Sequence, residues 1–186
     1  FIYDGQDINK GINYNKPVWK KILVKSSLTN KLDALNRLSR NVWCSWNHDA
    51  RKLFKMINPE LWEKCDKNPI ALLNKLSYEE LLSLENNKDF LEQLQQVTAK
   101  FDDYVEKRKE KRGAKIAYFS MEYGLHTSIK IYSGGLGILA GDYLKEASDS
   151  NVDIVAVGLL YRNGYFTQNL SNTGEQIAEY IPQRFS

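Results

Sequence analysis

Four glycines, Gly134, Gly135, Gly137 and Gly141, crowd the stretch between two short apolar runs, Ile116-Ala117-Tyr118-Phe119 and Val152 to Leu160. Apolar runs of that length are what buried strands show, and a helix from the glycines to about Ser148 fits between them. Strand, helix, strand at this spacing is a βαβ unit, with a parallel pair and a right-handed crossover. Successive glycines permit positive φ and remove Cβ atoms, so backbone N–H groups can face a ligand closely. A helix starting there adds unpaired N–H groups and the positive end of its dipole, a natural place for phosphate. A tight strand-to-helix connection with no ligand explains the glycines equally well.

A dinucleotide reading fails on context. Gly135-Leu136-Gly137-Ile138-Leu139-Ala140 fits G-x-G-x-x-A literally. The fingerprint should follow the first strand directly, yet residues 121–133 intervene, and Asp153 lies at the start of the second strand rather than its end. Beyond that strand, Tyr165 to Leu170 and Glu175 to Tyr180 flank the turn Ser171-Asn172-Thr173-Gly174, which predicts a hairpin.

The front half is helical in pattern. Pro17 opens a short strand candidate over Val18 to Lys25, and Ser26 and Ser27 offer helix caps. Leu28, Leu32, Leu35, Leu38, Val42 and Trp46 then recur at three- and four-residue spacing. Asn47, Asn58-Pro59 and Asn68-Pro69 mark further helix starts. Ser77-Tyr78-Glu79-Glu80 is a capping box, and a longer helix follows to about Lys107. The expected organisation is a linker or ragged terminus over 1–16, a helical domain over 17–112, and an unfinished α/β domain over 113–186.

Composition narrows the class. Lys and Arg number 26 against 23 Asp and Glu, a net charge of +3 with the signs interspersed. The one dense basic run, Lys107 to Arg112, reads as a solvated helix end and linker in preference to an anion- or nucleic-acid-binding patch. Cys44 and Cys65 imply neither a disulfide framework nor a zinc site. No apolar run approaches a membrane span and no signal segment opens the chain. A single sequon, Asn169-Leu170-Ser171, is a weak pointer to secretion, so a cytoplasmic location is expected. Trp43 and Trp46 read as core in preference to a sugar platform, and His48 as a surface or capping residue with His126 its only counterpart. The chain begins at Phe1 and stops at Ser186 without a closing element, so a fragment is expected.

Three runs carry a resemblance. Ala117-Tyr118-Phe119-Ser120-Met121-Glu122-Tyr123-Gly124, Ile131 to Lys145, and Val157 to Gln168 resemble the α-glucan (glycogen/maltodextrin) phosphorylases. Asn41 to Asn47, Asn58 to Trp62 and Asn68 to Leu73 resemble the extra N-terminal helical domain of the bacterial short type. The animal enzymes carry Asn before the glycine pair; here it is Ser133.

The resemblance implies a glycosyltransferase of two facing Rossmann-like domains (GT-B), of which this chain holds the opening. It implies reversible transfer of a glucosyl unit from an α-1,4-glucan to inorganic phosphate, giving glucose 1-phosphate. Pyridoxal 5'-phosphate is the implied cofactor, its Schiff-base lysine not in this chain. The backbone of Gly134, Gly135 and Leu136 is the implied phosphate site. Glu122 matches an acidic position near the cleft, with a structural salt bridge an equal reading. Tyr161, Gly164, Phe166 and Gln168 are read as scaffold. No metal, nucleic acid or membrane is implied, and homo-oligomerisation at full length is left open. On this reading the 186-residue chain alone is inactive. A nucleotide-sugar glycogen synthase is a weaker alternative, because such enzymes typically place a Lys where Tyr132 stands. A non-catalytic glucan-binding module is the other.

Overall fold

The computed structural model describes residues 28–182 except Thr29 and Lys111, and omits the Arg112 side chain. The strand expected over Val18 to Lys25, the caps at Ser26 and Ser27 and the segment 1–16 lie outside the described residues.

The helical body runs α1 (Asp33–Ser39), a 3-10 turn (Val42–Ser45), α2 (His48–Ile57), α3 (Pro59–Lys64), α4 (Pro69–Lys75), α5 (Tyr78–Asn86) and α6 (Lys88–Glu106). Asparagine sets most of these starts. The side chain of Asn47 accepts from Ala50 N–H at 3.0 Å, and Asn58 accepts from Leu61 N–H at 3.0 Å. Asn68 accepts from both Ile70 at 3.0 Å and Ala71 at 3.1 Å. Each satisfies amides that the first helical turn leaves unpaired. Ser77 and Glu80 form the reciprocal capping box, Ser77 N–H donating to Glu80 Oε2 at 2.8 Å and Glu80 N–H to Ser77 Oγ at 3.2 Å. The bonds from Ser77 N–H and then Asn58 hold the Glu80 carboxyl below its ordinary range.

Two breaks interrupt the apolar periodicity. Asn41 takes Trp43 N–H at 2.9 Å, so the pattern from Leu28 to Trp46 divides between α1 and the 3-10 turn. Asn87 takes Phe90 N–H at 3.0 Å, so the stretch from Ser77 to Lys107 is α5 and α6 rather than one helix. Both breaks turn the chain so that successive helices face one core. That core holds Leu35, Leu38, Leu53, Phe54, Leu72 and Phe90, all essentially buried. Trp43 lies between Phe101 and Tyr104, with ring centroids 5.2 and 5.5 Å away, and Phe54 stacks on Trp62 at 6.0 Å. Trp43 is core. Cys44 is buried too, donating to Leu38 O at 3.1 Å, and burial pushes its thiol up to about 12.

The α/β half follows. β1 (Arg112–Phe119) and β2 (Val152–Val157) pair in parallel, Ile116 opposite Ile154 and Phe119 opposite Val157. Helix α7 (Gly135–Asp149) connects them, as the spacing predicts. β3 (Thr167–Leu170) and β4 (Gln176–Glu179) form the expected antiparallel hairpin, in which Gly174 takes a φ of 82°. The strands were expected to be buried, but Phe119 is 71% and Val155 62% exposed. A parallel pair normally has both faces covered; among the described residues, α7 is the only helix of this half.

The basic run joins the two halves. Arg108 lies over the Tyr104 ring, 3.1 Å from its centroid. Its guanidinium donates to Tyr104 O at 2.7 Å, Ser148 O at 2.6 Å and Asp149 O at 2.9 Å. Tyr104 Oη donates to the Asp149 carboxylate at 2.7 Å, and Trp46 Nε1 donates to the same oxygen at 3.3 Å. A cation thus meets the carbonyl end of α7, where helix polarity favours it.

Asn68→Ala is expected to lower unfolding free energy by about 1 kcal/mol. Phe90→Ala should lower it by about 3–5 kcal/mol. Urea denaturation followed by circular dichroism checks both.

Candidate functional site

The site forms where the parallel strands end. Ser120 N–H donates to Val157 O at 3.1 Å, and Ser120 Oγ donates to Glu122 O at 2.9 Å, turning the chain back after β1. Tyr123 Oη then donates to Tyr118 O at 2.6 Å and lies 3.2 Å from Val157 O, tying the two strand ends together. Its neighbour Glu122 is 8% exposed. The carboxylate accepts the backbone N–H of Ser133 through Oε2. Beside it, Tyr165 has its hydroxyl raised above the ordinary phenol value, by lost solvation first and the Glu122 charge second. Among the described residues Glu122 forms no ion pair, and its carboxylate contacts the glycine loop at Ser133.

The glycines divide into two groups. Gly124 N–H donates to Gly137 O at 2.7 Å, bringing the loop after β1 against the first turns of α7. A Cβ at Gly141 would lie 2.6 Å from the Gly124 carbonyl carbon, and one at Gly137 would lie 2.5 Å from Tyr132 Cβ. Close packing requires glycine at both. Gly134 and Gly135 are different, because a Cβ at either meets nothing within 4 Å. Gly134 has φ 76° and is the N-cap of α7, with no side chain capping the helix. The first-turn amides of α7, at Gly135 and Leu136, therefore lack intrahelical acceptors and border open space. That combination of donors, dipole and room suits an anionic oxygen.

The structure thus brings Glu122, Gly134, Gly135 and Leu136 together. Glu122 reaches the loop at Ser133, one residue before Gly134. Tyr123 and Gly124 had been assigned no part by sequence reasoning, though a glycine two residues after Glu122 was a signal that the backbone approaches something closely. Tyr161 packs on the small cluster of Tyr123, Ile131 and Ala140. Phe166 pairs with Tyr180 at 5.7 Å, and Gln168 lies opposite Ala178 in the hairpin. His48 is the exposed first residue of α2, while His126 sits on the β1–α7 loop with Nδ1 2.8 Å from Ser128 Oγ. Among the described residues no helix is long and apolar enough to cross a membrane.

An open glycine turn at the carboxyl ends of parallel strands, fronted by a helical body, is the architecture to set beside known proteins. Residues 28–129 match the family described as "Protein of unknown function (DUF3417)", and the chain belongs to that family. The match runs past Arg112 to include β1 and Glu122. The chain is also 40% identical over 173 residues to the glycogen phosphorylase of Mycobacterium tuberculosis (strain ATCC 25618 / H37Rv), covering 87% of this chain and 20% of that protein. It is 41% identical over 170 residues to the maltodextrin phosphorylase of Thermococcus litoralis, covering 86% and 20%. With the glycogen phosphorylase of Aquifex aeolicus the identity is 37% over 150 residues, covering 77% and 21%. The resemblance to α-glucan phosphorylases is therefore borne out over most of the chain. The chain spans about one fifth of the length of these relatives, as their shares of 20% and 21% state. No solved structure matches it.

Gly141→Ala should destabilise by about 1–3 kcal/mol through overpacking against Gly124. Glu122→Ala should remove a charged acceptor worth about 1.5–3 kcal/mol to the Ser133 amide. Exchange of that amide should accelerate about tenfold to a hundredfold, while Glu122→Gln, which keeps an acceptor oxygen, stays near the parent. Hydrogen exchange read by NMR checks this.

Proposed function

We propose that the chain is the N-terminal part of an α-1,4-glucan phosphorylase. The complete protein would catalyse reversible transfer of a glucosyl unit from the non-reducing end of glycogen or maltodextrin to inorganic phosphate, giving glucose 1-phosphate. The carrying observation is the uncapped start of α7, where Gly134 and Gly135 leave room above first-turn amides. Two relatives named glycogen phosphorylase and one named maltodextrin phosphorylase keep 37–41% identity over at least 150 residues, which favours the same chemistry.

On this reading the Gly135 and Leu136 N–H groups donate to phosphate oxygens at the reacting centre. When the C1–O4 glycosidic bond breaks, O4 takes a proton from the substrate phosphate and a phosphate oxygen joins C1. In the reverse direction that C1–O bond breaks, O4 returns the proton and negative charge returns to the phosphate oxygens. Fixed donors in a site that excludes water stabilise that change without reorganising. Glu122 acts as a positioning residue, fixing Ser133 and hence the direction of the next amides. Pyridoxal 5'-phosphate, when bound, would supply a second phosphate group beside the substrate phosphate. The residues present fit the phosphate end of that group, through the open space and free amides of α7. The lysine that would hold its ring is expected beyond residue 186.

The exposed faces of β1 and β2 support a GT-B fold in the same way. Parallel strands are covered on both sides in finished domains, so Phe119 and Val155 suit a sheet that further strands and helices would complete. The division at residues 112 and 113, between a helical domain and the first Rossmann-like domain, belongs to this proposal. So does a cytoplasmic location, where glucan and phosphate would be met.

The full-length protein should release glucose 1-phosphate from a maltooligosaccharide and phosphate, and lose this activity when pyridoxal phosphate is removed. Gly135→Ala keeps the amide but puts a methyl group into the space left for phosphate, and should lower kcat/KM with little change in thermal stability. The 186-residue chain alone should release none. A full-length protein saturated with cofactor yet inert toward glucan and phosphate would overturn the proposal.

A further inference from the structure

A second concave site lies away from the glycine loop, between the helical body and the β1–α7 loop. It is a cleft of about 470 Å³, a size typical of small-molecule sites. None of Glu122, Gly134, Gly135 or Leu136 lines it. Its charged walls are of one sign: Arg40 after α1, Arg51 on α2, Lys67 after α3 and Lys130 on the β1–α7 loop. No carboxylate is among the lining residues. Arg40 and Arg51 are exposed, and among the described residues neither forms an ion pair. Lys67 does pair with Glu63, at 3.6 Å. Cations gathered around a concavity focus positive potential where an anion can be partly desolvated.

The remaining wall is apolar. Trp62, Ile70 and Ile129 contribute to it, and polar atoms are supplied by Asn41, Asn68 and Ser128. A bare inorganic anion would leave most of this surface unused. A phosphate joined to a small ring uses both the cations and the apolar wall.

We infer that this cleft binds a small phosphate monoester whose organic part is a ring, at a site separate from the glycine loop. Guanidinium groups recognise such a phosphate through paired N–H donors. The site stands whether or not the chain belongs to a phosphorylase in activity, because none of its residues enters that reading.

His126 lines the cleft and reports on it. Burial first, then the charges of Arg51, Lys145 and Lys67, push its imidazole below the ordinary value, and Asp66 opposes them weakly. A bound dianion reverses part of that repulsion, so its arrival raises the His126 pKa. The chain has two histidines, His48 being the other, so the two ring signals serve as site and control.

The test is an NMR titration of the full chain with phenyl phosphate, inorganic phosphate and uncharged benzyl alcohol. Phenyl phosphate should saturate, raise the His126 pKa, leave His48 unmoved and bind at least tenfold more tightly than either other probe. Arg40→Glu with Arg51→Glu should weaken phenyl phosphate at least tenfold with the same melting temperature, since both side chains are at the surface. Arg51→Lys should retain most of the affinity, and Gly135→Ala should change nothing at His126. Absence of a saturable shift at His126, or equal binding by the double variant, overturns the inference. A full-length protein inert toward glucan and phosphate, with this titration intact, would instead count against the proposed activity alone.

Discussion

Backbone meets backbone where Gly124 N–H donates to Gly137 O at 2.7 Å, and the α/β half is arranged around that contact. A methyl group at Gly137 or Gly141 would collide with Tyr132 or the Gly124 carbonyl and push the loop off α7. With the loop held close, Glu122 is drawn beneath the residue that precedes the glycine pair. Its carboxylate then fixes Ser133, Gly134 takes its positive φ, and α7 opens toward unoccupied space. Positioning at the helix start is thus achieved by removing side chains at two places and burying one acid at a third.

The second constraint is the way the helical body grips the other end of the same helix. Arg108 closes over Tyr104 and donates to the last carbonyls of α7, while Trp46 and Tyr104 hold the Asp149 carboxylate. Asn151 donates back to Lys107 O at 3.0 Å just beyond. One terminus of α7 is anchored by the helical body and the other is trimmed by glycine. In this chain the helical body is thus tied to the carboxyl end of α7 through Arg108, Tyr104 and Trp46. The basic cleft shares no lining residue with that junction and is bounded by the helices, by the loop carrying His126 and by Ile181 and Pro182.

What could be read from the sequence follows how local each interaction is. Asn58-Pro59 and Asn68-Pro69 encode helix starts within three residues, and the structure puts caps at both. The breaks at Asn41 and Asn87 were hidden because leucine spacing continues through them and tertiary packing chose where to turn. The βαβ order was legible from apolar runs and glycines. Strand exposure was not, since it depends on which elements cover the sheet. The glycine cluster admitted two readings, and each holds for part of it: close packing at Gly137 and Gly141, open space at Gly134 and Gly135. Glu122 was legible as a position but not as a partner of Ser133, which lies across the loop. Arg108 looked like the end of a helix. Its grip on residues 148 and 149 is a contact between segments far apart in the chain, and no local pattern announces it.

The claim at the centre of this account is that the α7 amides at Gly135 and Leu136 receive a phosphate group. A crystal structure of the full-length protein grown with inorganic phosphate or glucose 1-phosphate tests it directly. The account predicts a phosphate oxygen about 2.7–3.2 Å from those nitrogens, with Glu122 still accepting the Ser133 amide. Phosphate bound elsewhere while the Gly134-Gly135 turn is filled by protein side chains would contradict it.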